Sequence, residues 1–133
     1  MDISLLRRVP LFEVLKDDDL EAIARVTITR SYDKDQVIIL AEEEGDALFI
    51  IADGQVKVSI VSEDGREVIL SLLGDGAVFG ELSLLDGKPR SANVISTEET
   101  VLIMLRRQEF LQLVHKVPQI AIALLAELAS RLR

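Results

Sequence analysis

The stretch Phe79-Gly80-Glu81-Leu82-Ser83-Leu84-Leu85-Asp86-Gly87-Lys88-Pro89-Arg90-Ser91-Ala92 decides how the rest of this chain is read. It joins a Gly-Glu pair, a one-turn apolar helix, a Gly/Pro turn and an Arg-Ser-Ala step. Leu82, Leu84 and Leu85 are expected to bury one side of the short helix, and Gly80 lets the backbone come close to a ligand. The first amides of such a turn have no intrahelical partner and favour an anion. Arg90 adds a permanent charge and a planar fork suited to phosphate, which a lysine would not reproduce. Glu81 is then free to accept hydrogen bonds from sugar hydroxyls.

On either side of this stretch, residues 28 to 106 have the texture of strands. Val37 to Leu40, Ala47 to Ala52, Gln55 to Val61, Glu67 to Leu73 and Val101 to Leu105 are short, apolar and rich in β-branched residues. Turn signals separate them at Glu44-Gly45-Asp46, Asp53-Gly54, Glu63-Asp64-Gly65 and Gly74-Asp75-Gly76. Asp53-Gly54 and Asp64-Gly65 are of the tight-hairpin kind. Short strands at this spacing indicate an antiparallel sandwich or barrel.

The two ends read as helices. Residues 3–8 and 17–27 are short and amphipathic, and Asp17-Asp18-Asp19 places acid at a helix start, where the dipole favours it. Arg107 to Lys116 forms one helix, Pro118 begins another, and the pattern then runs unbroken to Arg133. Ala121, Leu125, Leu128 and Leu132 recur with helical spacing, and Leu124 widens the stripe, so a homodimer through residues 118–133 is expected. No C-cap follows, which suggests the sensory half of a longer regulator.

Composition limits the function classes. With 133 residues the chain is one domain with a core of its own, and 49% hydrophobic with 29% charged residues is globular. There is no cysteine, so disulfides, iron–sulfur clusters and thiol catalysis are excluded. No apolar run is long enough to span a bilayer, and Met1-Asp2-Ile3-Ser4 does not begin a signal peptide; the lack of cysteine fits a cytoplasmic location. A net charge of −8 lacks the electrostatic footprint of a nucleic-acid binder, so this domain is not expected to contact DNA or RNA.

One anionic phosphate beside one free ribose hydroxyl describes a cyclic nucleotide. The segment 79–92 resembles the phosphate-binding cassette of the cyclic-nucleotide-binding domain family, of the catabolite activator protein and kinase regulatory subunit type. The resemblance extends further. Gly45 to Val58 is similar to the hairpin that the family places earlier in its roll, and Glu63 to Leu70 to the next turn and strand. Roughly residues 5 to 133 fit in register. The resemblance implies a mainly β fold with flanking α: an antiparallel jelly-roll β-barrel over 27–106, short N-terminal helices, a one-turn cassette helix and two C-terminal helices over 107–133.

It also implies roles for residues. Arg90 is expected to pair with the cyclic phosphate and Glu81 to accept from the ribose 2′-hydroxyl. Gly80 and Leu82 would offer backbone groups near the sugar, with Ser83 adding its amide. Ser91 and Ala92 would present backbone N–H groups to the phosphate, with the Ser91 hydroxyl as a further donor. Serine at position 91 favours cAMP over cGMP within the family, and the step from Glu81 to Arg90 resembles the kinase-subunit cassette length. For the base, Val68 and Leu70 on the strand before the cassette, and Leu125 or Leu128 on the last helix, are apolar candidates. Each is equally well explained as core or dimer seam.

Other chemistry lacks support in the sequence. The lone His115 cannot build a typical zinc site, and Asp17 to Asp19 are adjacent where metal ligands would have to converge. No histidine stands as a base for a serine nucleophile, and no carboxylate pair frames a cleft, so neither an enzyme nor a metal or organic cofactor is expected. Glu42-Glu43-Glu44 reads as a solvated loop. The reading from sequence is a cyclic-mononucleotide sensory domain relaying binding through its last helix. The alternative is a nucleotide-free dimerisation module that keeps the fold.

Overall fold

The computed structural model describes residues 3–133 and comprises two four-stranded antiparallel sheets with five helices. The start of the chain at Met1 and Asp2 lies outside the described residues. Helices α1 (Ile3–Arg7) and α2 (Asp17–Val26) come first, joined through a short 3-10 turn at Pro10–Phe12. Strands β1 (Ile28–Tyr32), β2 (Val37–Ile39), β3 (Leu48–Asp53), β4 (Val56–Val61), β5 (Glu67–Leu73) and β6 (Val78–Phe79) follow. Helix α3 (Glu81–Asp86), strands β7 (Asn93–Ser96) and β8 (Thr100–Leu105), and helices α4 (Arg107–Lys116) and α5 (Gln119–Leu132) complete the chain.

One sheet has the order β1-β8-β3-β6 and the other β2-β7-β4-β5. The architecture is the jelly-roll class expected, but the roll remains two facing sheets and does not close into a barrel. β3 explains the layering. Leu48 and Ile50 on one face join the helices' core with Leu6, Phe12, Leu20, Phe110 and Ile120. Phe49 and Ile51 on the other face join Val56, Phe79, Val94 and Leu102 between the sheets. Side chains alternate along a strand, so one continuous apolar run serves two cores at once.

That double burial corrects one expectation. Asp53-Gly54 does not close a hairpin: β3 is flanked by β8 and β6, while β4 pairs with β5 and β7. The Gly45 to Val58 stretch therefore changes sheet at Gly54, whose φ is +120°. A Cβ at Gly54 would lie 2.5 Å from Thr100 Oγ1 and 2.7 Å from the Glu99 carbonyl, so the crossing requires glycine. Its amide donates to Asp75 Oδ1 at 2.8 Å. The Glu63-Asp64-Gly65 turn does join a hairpin, β4–β5, in which Val61 pairs with Glu67.

β5 lies at a sheet edge. Val58 pairs with Ser71 and Ser59 with Ile69, which leaves Leu70 as the extra residue of a bulge. Val68, Ile69, Leu70 and Leu72 are exposed. At the other end of the chain, Pro118 occupies the N-cap of α5 and the axis turns by 117° between α4 and α5. The expected α5 stripe is divided: Ile120 and Leu124 are buried and Leu128 packs on the chain's own core, while Leu125 and Leu132 are exposed. Among the described residues no single helix is long and apolar enough to cross a membrane.

Candidate functional site

β6 delivers the chain to Gly80, which sits at φ +82°, ψ 4° as the N-cap of α3. A Cβ there would lie 2.8 Å from the Ala47 carbonyl and 2.9 Å from Arg90 Nη1, so only glycine admits this approach. The short helix buries less than expected. Leu84 is inside, whereas Leu82 and Leu85, three apart on the other face, are about half exposed. Ser83 and Glu81 are buried with Leu84. Arg107 Nε donates to the Leu84 carbonyl at 2.8 Å and ties the start of α4 to the end of α3.

Arg90 is the centre of the arrangement. It is 8% exposed, and its guanidinium donates from Nη1 to the Gly80 carbonyl and from Nη2 to the Ala47 carbonyl, both at 3.0 Å. The group lies 6.0 Å from the centroid of the Phe49 ring, which stacks on Phe79 with centroids 5.1 Å apart. Backbone bonds of 2.8 Å on both sides of residue 90, to Glu43 O and from Glu42 N, lock its position. Burial pushes the guanidinium below its ordinary pKa, and the charges of Asp46 and Glu81 act against that. Both bonded partners are neutral carbonyls, and among the described residues no ion pair engages Arg90. Three of its five N–H donors remain for another acceptor.

Glu81 has a different neighbour. Its Oε1 accepts from Nη1 of Arg131 at 2.8 Å, and Arg131 Nη2 also lies 3.4 Å from Glu127 on the same helix. The Glu81 side chain is 9% exposed and that of Arg131 29%. The last helix thus reaches across and holds the carboxylate expected to meet a sugar.

These groups share one cleft of about 130 Å³. Gly80, Glu81, Leu82, Ser83, Arg90, Ser91 and Ala92 all line it, so the cassette residues singled out in the sequence come together. Ile39, Val58, Ser71, Leu73 and Val94 form the opposite wall, and Arg131 crosses from α5. The four apolar candidates for a base contact are elsewhere. Val68 and Leu70 lie on β5 outside the lining: Ser71 and Leu73 face the cleft, Leu70 is the extra residue of the bulge, and Val68 pairs with Ile60 beyond the end of the lining at Val58. Leu125 points to solvent and Leu128 into the core. Sequence reasoning missed Arg131 and Ser71. The signal for Arg131 was present: Leu124, Leu128 and Arg131 follow one another at i, i+4 and i+7 on the inward stripe. No three His, Asp or Glu side chains gather to hold a metal among the described residues.

Comparison with known proteins bears on the family and the fold. A family model described as cyclic nucleotide-binding domain matches residues 29–117. The cyclic AMP receptor protein of Thermus thermophilus is 37% identical over 93% of this chain and 57% of its own length. A CRP-like cAMP-activated global transcriptional regulator of Mycobacterium tuberculosis is 30% identical over 98% of this chain and 58% of its own. The crystal structure of the Thermus thermophilus catabolite activator protein superposes with a TM-score of 0.83 at 37% identity, over 93% of this chain and 58% of that one. The chain thus spans a little over half the length of these relatives. The matched family region ends before α5, so Arg131 lies beyond it.

Proposed function

The chain belongs to the cyclic nucleotide-binding domain family, and from that membership we propose that it is the sensory domain of a catabolite-activator-type transcriptional regulator, binding cAMP in preference to cGMP. The observation that carries the reading is Arg90: a buried guanidinium held by two neutral carbonyls and, among the described residues, in no ion pair. A buried charge calls for a counter-charge, and a cyclic phosphate supplies one with oxygens that match the unused donors. Ser91 and Ala92 line the same cleft, and their backbone N–H groups, with the Ser91 hydroxyl, would donate to that phosphate. The ribose 2′-hydroxyl then donates to Glu81. The base lies against Leu73, Val58 and Val94, with Ser71 as the polar group on that wall.

Arg131 is part of the response. A cleft of about 130 Å³ is small beside the about 300–1,000 Å³ of small-molecule sites, and Arg131 occupies its sugar end. Nucleotide competes with Arg131 for Glu81, so binding releases or re-aims α5, and the two events share one coupling free energy. The exposed Ile122, Leu125 and Leu132 on α5 then serve a homodimer contact. DNA contact by such a regulator would be made outside these residues, since a net charge of −8 opposes it here. The relatives' description as a cAMP receptor and a transcriptional regulator supports this reading.

A nucleotide-free interaction module is the second reading, and the occupied sugar end of the cleft favours it. Calorimetric titration with cAMP and cGMP decides between them, with Arg90→Ala as the control. Saturable one-to-one binding of cAMP, removed by the substitution in a folded protein, is the expected result. No heat from the folded parent chain with either nucleotide would sink the sensor reading.

A further inference from the structure

Helix α3 is six residues long, too short to keep its shape by its own hydrogen bonds, so whatever holds its two ends sets where the cassette stands. The first end is well secured. Gly80 sits against the Ala47 carbonyl, its own carbonyl accepts from Arg90, and Glu81 is bonded to Arg131. The other end has little around it, since residues 85–89 are all exposed.

Two contacts remain there. Leu84 is 1% exposed and packs in the same core as Phe110 and Leu113 of α4. Its carbonyl accepts from Nε of Arg107, the first residue of α4, at 2.8 Å. The last carbonyls of a helix have no partner within it, and a cation beside them is favoured by the dipole. Among the described residues this is the one hydrogen bond that joins residues 84–86 of α3 to another element. Arg107 also lines a hollow of about 640 Å³ together with Lys88 and three carboxylates, Glu44, Asp46 and Asp86, whose excess negative charge favours a cation there.

We propose that Arg107 is a positioning residue of the nucleotide cleft: by holding the Leu84 carbonyl it fixes α3 on α4, and through α3 it fixes the Glu81 carboxylate at the sugar end. The role rests on the nucleotide-sensor reading above, and Arg107 performs it without touching ligand, since it does not line the cleft. Glu81 and Leu84 are three apart in a single turn, so one cannot shift without the other. The two C-terminal helices thus each lend α3 an arginine, with different duties. Arg131 occupies the group the sugar needs and must yield it. Arg107 holds a carbonyl the sugar does not need, so its bond persists when nucleotide is bound.

The test joins amide hydrogen exchange without nucleotide to calorimetric titration with cAMP and 2′-deoxy-cAMP, on the parent chain, Arg107→Leu and Arg107→Lys. Exchange at Gly87, whose amide donates to the Ser83 carbonyl, should speed by about tenfold in Arg107→Leu while the β3 amides keep the parent's rates. Affinity for cAMP should fall by about fivefold or more in Arg107→Leu and largely recover in Arg107→Lys, whose ammonium can still reach a carbonyl. 2′-Deoxy-cAMP offers Glu81 no hydroxyl, so it should bind parent and variants within about twofold. Equal losses with both nucleotides would reveal a general loosening, and faster Gly87 exchange with unchanged cAMP affinity would reveal a structural tie alone; either overturns the proposal. Unaltered exchange at Gly87 would remove the hold itself. A parent chain that binds neither nucleotide would instead sink the sensor reading, and this role with it.

Discussion

Arg131 Nη1 donates to Glu81 Oε1 at 2.8 Å, so the last turn of α5 is bonded to the first residue of the cassette helix. Both side chains are largely withdrawn from water, which places the pair between a screened surface bridge and a fully buried one. It gives the last helix a direct hold on the group proposed to meet the ribose.

Arg131→Met should therefore raise cAMP affinity. The substitution keeps the stem packing and removes the competitor, and a bond of this kind contributes about 1–2 kcal/mol, or about five- to thirtyfold. Isothermal titration gives the answer, and unchanged or weaker binding would end the competition account.

Arg90→Lys should fail to replace Arg90. A single ammonium cannot hold the Gly80 and Ala47 carbonyls while keeping planar donors for phosphate. The expected loss is about 2–3 kcal/mol of binding, or about thirtyfold or more. Near-parent affinity in the lysine variant would show that charge alone suffices.

The two glycines that cap α3 offer a matched pair for stability. Gly80→Ala combines a positive φ with a Cβ 2.8 Å from the Ala47 carbonyl, and should cost about 2–3 kcal/mol in urea unfolding. Gly87→Ala has a similar φ but nothing within 4 Å, so only the backbone cost of about 1 kcal/mol remains. Equal losses would mean that the Ala47 approach is not a constraint.

On β5, Leu73→Ala should weaken nucleotide binding several-fold, whereas Leu70→Ala should leave it within about twofold, because only Leu73 lines the cleft. The reverse order, measured by titration, would restore the alternate face of the strand as the base contact.

Glu67 carries a small acid dependence of stability. Its bond from Lys57 lowers the carboxyl pKa below the ordinary 4.5, against the effect of desolvation and with help from Ser59. A depressed folded-state value stabilises the fold above the unfolded pKa, and that contribution is lost as pH falls through the folded one. Unfolding midpoints of Glu67→Gln and the parent chain should hence converge on acidification and separate above about pH 5. A gap that widens on acidification would contradict this assignment.

Much of the site was legible because the cassette is contiguous. Its glycine, its carboxylate and its Arg-Ser-Ala step are local signals, and all seven residues named from them share one cleft. What escaped depends on partners distant in the chain. Asp53-Gly54 carries the chemistry of a hairpin, but β3 is claimed on both sides by β6 and β8, so the turn became a crossing between sheets. β1, β6 and β7 were overlooked: β6 has only two residues, and polar positions interrupt the other two. The face of β5 was misjudged because a bulge at Leu70 shifts the register by one, which moves every later side chain to the opposite side. The helical spacing of Leu124, Leu128 and Arg131 puts Arg131 on the inward stripe, but that it meets Glu81, fifty residues away, depends on how α5 packs.

The pairing of Leu48 with Leu105 also orders events in time. β3 and β8 close a long loop, and apart from Ile39 and Arg131 every residue of the cleft lies within it. Such closure must meet its entropic cost before the contacts it permits can offset it, so the cleft is assembled late in folding. Nucleotide added to refolding chains would find nothing to hold until that loop is shut. Its influence would fall on the rate of unfolding and leave the rate of folding unchanged.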